Sequence, residues 1–276
     1  MPLRFAKLSA TGNDFILFDN RDQLFRGDEE RLFRALCTRR VAIGADGILL
    51  IEHAPSVKSS AFFTMRYFNR DGRESEMCGN GACASAYYAF RHGIAPAEMQ
   101  FEVGGDLYHA VVAGNRVRLR MQKPWDLDLT PHALEENCME EGGYVNTGVP
   151  HYVLFTPQIE QVDVAGLGVK YRHHPKFQPA GTNVNFAAID RASHFYLRTY
   201  ERGVEEETLA CGTGTVAAAV FAHLKKQMPF PIHVTTRGGE LTVYGDAHLE
   251  KLELEGDVRL VYYGEFELNN FADLLK

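Results

Sequence analysis

Cys78 and Cys211 sit in closely matched surroundings. The first lies in Met77-Cys78-Gly79-Asn80-Gly81-Ala82, the second in Ala210-Cys211-Gly212-Thr213-Gly214-Thr215. Each is followed by Gly-x-Gly and then by small and apolar residues that read as a helix. A helix N-terminus carries unpaired backbone N–H groups and about half a positive charge. A cysteine placed there has its thiolate stabilised, so its pKa falls below the usual value of about 8.5. A ligand carboxylate can bind the same N–H groups, and glycine lets it approach the backbone closely. If the two helix ends face each other, a small carboxylate ligand has a sulfur on each side of its α-carbon. One thiolate then removes the α-proton while the other thiol protonates the opposite face, a case of general acid–base catalysis. N–H groups from both helices stabilise the charge that develops on the carboxylate.

The match extends upstream of the cysteines. Met65-Arg66-Tyr67-Phe68-Asn69-Arg70 parallels Leu197-Arg198-Thr199-Tyr200-Glu201-Arg202. The chain is therefore read as a duplication of one unit: strand, acidic turn, cysteine, helix. Both helices, from Ala82 to Phe90 and from Val216 to Ala222, are apolar nearly all round, as buried helices are. The fold expected is α+β, with two similar domains, each a curved, mixed or antiparallel sheet wrapped around one central helix. The site is expected in the cleft between them. The domains are placed at 1–116 and 117–261.

The other elements follow from local pattern. Phe5 to Ser9 reads as a strand, broken at Gly12-Asn13-Asp14 and resumed at Ile16-Leu17-Phe18. Residues 29–39 fit an amphipathic helix, with Leu32, Phe33, Leu36 and Cys37 on one face. Ile48 to Ile51 reads as a buried strand, and Val111 to Met121 as a hairpin. Residues 123–142 are acidic, contain Pro124 and Pro131, and read as a surface connection. Strands are expected at Tyr144–Thr147, Tyr152–Phe155 and Val184–Ile189, with a short linker after Phe155. The C-terminal third has strand patterning with turns at Gly238-Gly239 and Gly245-Asp246.

Bulk properties narrow the function classes. A chain of 276 residues with 45% hydrophobic residues supports two domains with substantial cores. A net charge of −7 argues against nucleic acid or an anionic membrane as partner. No apolar run approaches the roughly 20 residues needed to span a bilayer. The N-terminal stretch lacks a signal-peptide core, so the expected location is the cytoplasm. The five cysteines, Cys37, Cys78, Cys83, Cys138 and Cys211, are irregularly spaced and include no Cys-x-x-Cys pair. This is neither a disulfide scaffold nor a metal-binding pattern. Cys37, Cys83 and Cys138 read as small buried hydrophobes. No lysine lies in a recognisable pyridoxal-phosphate setting, so a cofactor-independent enzyme is expected, with no metal.

The residues resemble the diaminopimelate epimerase family over nearly the whole chain. The resemblance rests on both cysteine motifs, Asn69, Glu201-Arg202-Gly203, Gly12-Asn13-Asp14-Phe15, Ile43-Gly44-Ala45-Asp46-Gly47, Pro150-His151 and Asn183-Val184-Asn185-Phe186. It implies interconversion of LL- and meso-diaminopimelate without cofactor, on the route to lysine and peptidoglycan. It implies Cys78 and Cys211 as the acid/base pair, with Glu201 and His151 flanking the reacting amino group and the sulfurs. Gly79, Asn80, Gly212 and Thr213 are implied donors to the reacting carboxylate, and Asn13 lies near the reacting centre. Asn69, Asn183 and Arg202 are implied to hold the distal end of the substrate. The resemblance also implies a homodimer, and a last strand returning to the first domain from about residue 262. The chain departs from the family pattern at Val149, where many members have asparagine before Pro-His, and at Gly47, where some carry glutamine. Thr147 is a candidate replacement for the first contact, and at most a backbone contact remains at the second.

Three other readings compete. A two-cysteine racemase for proline or hydroxyproline has no use for the Asn69, Asn183 and Arg202 set. A redox-sensing module would work with Cys78 and Cys211 as a disulfide. A carboxylate-binding protein needs no cysteine at either helix end.

Overall fold

The computed structural model describes residues 2–26, 28–54, 60–75, 77–132 and 139–271. Cys138 and part of the connection expected over 123–142 lie outside these residues. The chain divides into two compact units: one runs up to Leu119 and includes the chain from Gly256 onward, the other spans Arg120–Glu255.

In the first unit β1 (Leu3–Ala10) pairs antiparallel with β2 (Asn13–Asp19), and β2 pairs parallel with β3 (Gly47–His53). The connection between β2 and β3 carries α1 (Glu30–Cys37). β3 pairs antiparallel with β4 (Phe63–Asn69), and the two-residue β5 (Glu74–Ser75) folds back on β4. Then come α2 (Gly79–Arg91), β6 (Glu98–Val103) parallel to β4, β7 (Asp106–Ala113) and β8 (Arg116–Arg120).

The second unit opens with β9 (Trp125–Asp128) and then repeats the plan. β10 (Glu140–Asn146) pairs antiparallel with β11 (Pro150–Phe155), and β11 pairs parallel with β12 (Asn183–Arg191). The connection carries α3 (Val164–Arg172). β12 pairs antiparallel with β13 (His194–Glu201), and β14 (Glu206–Thr208) folds back on β13. α4 (Gly212–Lys226), β15 (Ile232–Thr236) parallel to β13, and β16 (Gly239–Tyr244) complete the unit. β17 (Glu253–Phe266) leaves the second unit, and its part from Val258 to Phe266 pairs antiparallel with β1.

β2, β3, β11 and β12 are buried on both faces over most of their length, which explains their near-continuous apolar runs. In the first unit α2 packs against β1, β2, β3, β4 and β7. On another face, Ile16, Phe18, Ile48 and Leu50 form a core with Leu32, Phe33 and Leu36 of α1. In the second unit α4 packs against β10–β13 and β16, with Val216 to Ala222 fully buried. Tyr152, Leu154, Val184 and Phe186 form a further core with Val164 and Tyr171 of α3. Gly143 lets β10 pass under α4: its φ is +148°, and a Cβ there would lie 2.3 Å from the Phe221 ring.

The duplication reaches individual ion pairs. Arg66 on β4 makes a two-pronged bond to Glu74 on β5, at 2.7 and 2.7 Å. Arg198 on β13 makes the corresponding bond to Glu207 on β14, at 2.8 and 2.8 Å. Paired guanidinium–carboxylate bonds fix geometry as well as charge, so each pins the turn that delivers the following cysteine.

Two stretches differ from the sequence reading. The expected linker after Phe155 contains α3, whose Gly166 and Gly168 hide its helical pattern. The expected surface connection contains β9 and the start of β10.

Candidate active site

Cys78 is the N-cap of α2, with extended backbone (φ −138°, ψ 116°), and its Sγ accepts the Gly81 N–H at 3.4 Å. The helix ladder starts one residue later, with Ala82 N–H donating to the Cys78 carbonyl at 2.8 Å. Cys211 is the N-cap of α4 with almost the same backbone (φ −126°, ψ 112°). The two sulfurs nevertheless have different partners. Around Cys211, Sγ lies 3.5 Å from Thr213 Oγ1, while Thr215 N–H and its hydroxyl both donate to the Cys211 carbonyl, at 2.9 and 2.8 Å. In both helices the earliest N–H groups, those of Gly79 and Asn80 and of Gly212 and Thr213, have no intrahelical acceptor. A Cβ at Gly79 would meet nothing within 4 Å, so the backbone there is open to an approaching group.

The first unit builds a polar framework beside α2. Asn80 Nδ2 donates to Asn13 Oδ1 at 2.6 Å, and Asn13 Nδ2 donates to Asp46 Oδ2 at 3.2 Å. The Asp14 backbone N–H also reaches Asp46 Oδ2, at 3.2 Å. Arg39 bridges Asp46, at 2.9 Å, and Asp14. Lys7, buried in β1, lies 2.7 Å from Asp14 and also donates to the Gly44 carbonyl. Burial opposes ionisation of Asp14, but the bonds from Arg39 and Lys7 outweigh it and hold the carboxyl below its usual range. This ionic base fixes the side-chain amides of Asn13 and Asn80.

The second unit uses a neutral framework. His151 on β11 is completely buried. Burial, helped by the positive charge of Arg202, pushes its pKa down to about 3. Its Nε2 lies 2.9 Å from Thr213 Oγ1, and its Nδ1 lies 3.1 Å from Asn185 Nδ2. His151 therefore reaches the Cys211 sulfur through the Thr213 hydroxyl. Thr147 donates its hydroxyl to the Thr213 carbonyl at 2.9 Å, which commits that proton to holding the helix entrance.

The remaining implied residues divide by exposure. Asn69 ends β4 with its side chain exposed. Glu201 ends β13 half-buried, and burial raises its pKa. Arg202 follows it, half-buried, with Nη1 donating to the Ala180 carbonyl at 3.0 Å. Asn183 is buried and bonded within the unit: Nδ2 to the Pro150 carbonyl at 2.9 Å, and Oδ1 to the Arg202 N–H at 2.8 Å. Asn183 thus shapes the backbone that carries both His151 and Arg202. At Gly47, a Cβ would lie 2.6 Å from both the Phe68 carbonyl and the Tyr67 ring, so Tyr67 occupies the space a longer side chain would need.

Cys37 and Cys83 are buried, and burial pushes both thiols up to about 12. They are protonated hydrophobic groups. Among the described residues no cluster of histidine, cysteine and acidic side chains could hold a metal ion. Sequence reasoning passed over Asn185 and Thr199. The available signal was the spacing of Asn185 two residues after Asn183, which puts both on one face of β12.

The diaminopimelate epimerase family model matches residues 5–124 and 143–261. A diaminopimelate epimerase from Chlorobaculum tepidum is 41% identical over 266 residues, covering 95% of this chain and 100% of that protein. One from Aquifex aeolicus is 38% identical over 276 residues, covering 95% and 97%. Among solved structures, a phenazine biosynthesis protein of the PhzF family from Bacillus anthracis superposes with a TM-score of 0.72 at 14% identity, covering 97% of this chain and 100% of that one. A hydroxyproline epimerase from Agrobacterium vitis gives 0.69 at 15% identity, covering 99% and 93%. At such identities these structures speak for the α+β fold of two similar domains and for nothing finer. The sequence matches are of another order, and by them this chain belongs to the diaminopimelate epimerase family.

Proposed function

We propose that this protein interconverts LL- and meso-diaminopimelate without a cofactor, supplying the meso isomer for lysine and peptidoglycan synthesis. The observation that carries the reading is the family match along nearly the whole chain. The identical N-cap placement of Cys78 and Cys211 supports it.

In this reading one cysteine thiolate takes the α-hydrogen from one face of the substrate, and the C–H electron pair passes into the carboxylate. The other cysteine gives its S–H proton to the opposite face and becomes the thiolate. The two sulfurs exchange protonation states at each turnover, so the same pair runs the reverse reaction. N–H groups of Gly79, Asn80, Gly212 and Thr213 stabilise the dianionic carboxylate. Asn13 stands beside the reacting centre, and the half-buried Glu201 carboxyl receives the amino group. Arg202 and Asn69 engage the distal amino-acid end, Arg202 through paired bonds to carboxylate. Asn183 is placed with them at the distal end, where it also accepts the Arg202 N–H. The protein is read as a cytoplasmic homodimer.

The test is α-hydrogen exchange in D2O, followed by NMR, with LL-diaminopimelate and separately with proline, under reducing conditions. Exchange and inversion with diaminopimelate alone, lost in Cys78→Ser and Cys211→Ser, is the expected result. Exchange with proline instead transfers the chain to the proline racemases. No exchange with either substrate overturns the reading.

A further inference from the structure

The direction of every hydrogen bond around His151 can be worked out from groups that have no choice. The Tyr152 carbonyl can only accept, and Asn185 Nδ2 lies 3.1 Å from it. The amide of Asn185 is therefore oriented with its nitrogen toward Tyr152 and His151, leaving Oδ1 for the Thr199 hydroxyl, which donates to it at 3.0 Å. Nδ2 has two hydrogens. One goes to the Tyr152 carbonyl and the other to His151 Nδ1 at 3.1 Å. A neutral imidazole that accepts at Nδ1 carries its proton on Nε2. Nε2–H then donates to Thr213 Oγ1 at 2.9 Å, which leaves the hydroxyl hydrogen of Thr213 directed at Cys211 Sγ, 3.5 Å away.

We infer that Asn185 is a positioning residue that sets the direction of a relay through His151 and the Thr213 hydroxyl, so that this hydroxyl donates to the Cys211 sulfur. The relay rests on the two-thiol reading above for its catalytic meaning, but its geometry stands independently. A hydroxyl that donates to sulfur favours the anion, and turned round it would accept from S–H and hold the thiol. Direction is therefore the property under control. The charged group that reaches His151 is Arg202, and like burial it disfavours the imidazolium, which would put a proton on Nδ1 and break the bond from Asn185. The helix end is shaped to admit the relay. Gly214, in the first turn of α4, lies over Asn185 and His151, and a Cβ there would come within 2.4 Å of Asn185 Oδ1 and 3.3 Å of His151 Cε1. Around Cys78 the direct sulfur donor is a backbone N–H, which cannot reverse.

Two measurements test the inference, one blind to activity. In a two-bond 1H–15N correlation spectrum of labelled protein, protonated and bare imidazole nitrogens are distinct. His151 is assigned by its loss in His151→Gln or, if that variant does not fold, by through-space contacts to the Thr213 methyl group in the wild type. The expected wild-type form carries the proton on Nε2, and in Asn185→Asp, which offers Nδ1 an acceptor, Nδ1 becomes protonated. A wild-type proton on Nδ1 overturns the relay. In the second measurement, Thr213→Val lowers kcat/KM by about 10- to 100-fold, the range expected for losing one hydrogen bond to a charged group. The ascending limb of its pH profile moves to higher pH, and Thr213→Ser restores both. An unchanged profile in Thr213→Val overturns the relay while leaving the epimerase reading intact. Absence of exchange in the wild type overturns the epimerase reading while the spectrum still reports the tautomer.

Discussion

Gly214 lies so close to Asn185 that a single added carbon would sit 2.4 Å from the side-chain oxygen of Asn185. The second glycine of the Cys-Gly-x-Gly motif thus serves packing as much as ligand approach. Its counterpart Gly81 is less constrained, since a Cβ there would meet the flexible tip of Leu49 at 3.0 Å. Gly214→Ala is accordingly expected to cost about 1–3 kcal/mol of stability, as overpacking of a filled interior does, and to lose most activity. Gly81→Ala gains some helix propensity to offset a smaller clash. Denaturant unfolding of both variants checks this: equal losses would contradict the assigned packing.

Acid stability depends on His151. Its folded pKa of about 3 lies below the ordinary histidine value of 6.5. Between these values the unfolded chain binds more protons than the folded one, so stability falls as pH drops from about 6.5 toward 3. The loss approaches about 1.4 kcal/mol per pH unit from this group. His151→Gln should show a shallower decline than the wild type over pH 6 to 4, measured by denaturant unfolding. Parallel slopes would mean that His151 is not held neutral.

The two repeated ion pairs should differ in worth. In the Arg198–Glu207 pair the side chains are 10% and 18% exposed, against 22% and 47% for Arg66–Glu74. Arg198→Met removes the paired bond to Glu207 and the donors to the Ile159 and Val162 carbonyls, while Arg237 stays 3.0 Å from Glu207. Losing a partner of a buried pair costs up to about 3–5 kcal/mol, whereas an exposed pair contributes about 0–1 kcal/mol. Arg198→Met should therefore destabilise clearly more than Arg66→Met. Thermal unfolding with the order reversed would count against this ranking.

Arg202 is assigned to the distal end of the substrate. Arg202→Lys keeps the charge but loses the paired geometry. It should lower kcat/KM for diaminopimelate by about 10- to 100-fold, the range for a charge-assisted bond. Steady-state kinetics unchanged in this variant would remove Arg202 from the site.

Much of this was legible in the chain because duplication marks the residues that two units share. The paired Cys-Gly-x-Gly motifs mark the helix ends, and Arg66 and Arg198 occupy matching places in the two repeats. The hidden parts had physical reasons. α3 is masked by Gly166 and Gly168. The second of these is required because a Cβ there would lie 2.3 Å from the Tyr200 ring, yet propensity reads it as a breaker. β10 starts with Glu140 and Glu141, acidic residues that resemble a loop. Asn183 reads as a ligand contact by resemblance, and its bonds to Pro150 and Arg202 are a further role that no local pattern shows. The spacing of Asn185 from Asn183 shows only a shared face; its role comes from the carbonyl of Tyr152 and the ring of His151, which pairing of β11 with β12 brings beside it.

The central claim is that two different sulfurs serve the two faces of one carbon. The most direct measurement follows LL-diaminopimelate in D2O at early times, with deuterium read separately in recovered substrate and in product. If Cys78 and Cys211 act as two bases, each new meso molecule carries solvent deuterium at the inverted carbon, while recovered LL substrate retains its hydrogen. Substrate-derived hydrogen appearing in the product, or deuterium entering recovered substrate as fast as inversion proceeds, would mean that one group serves both faces and would contradict the account.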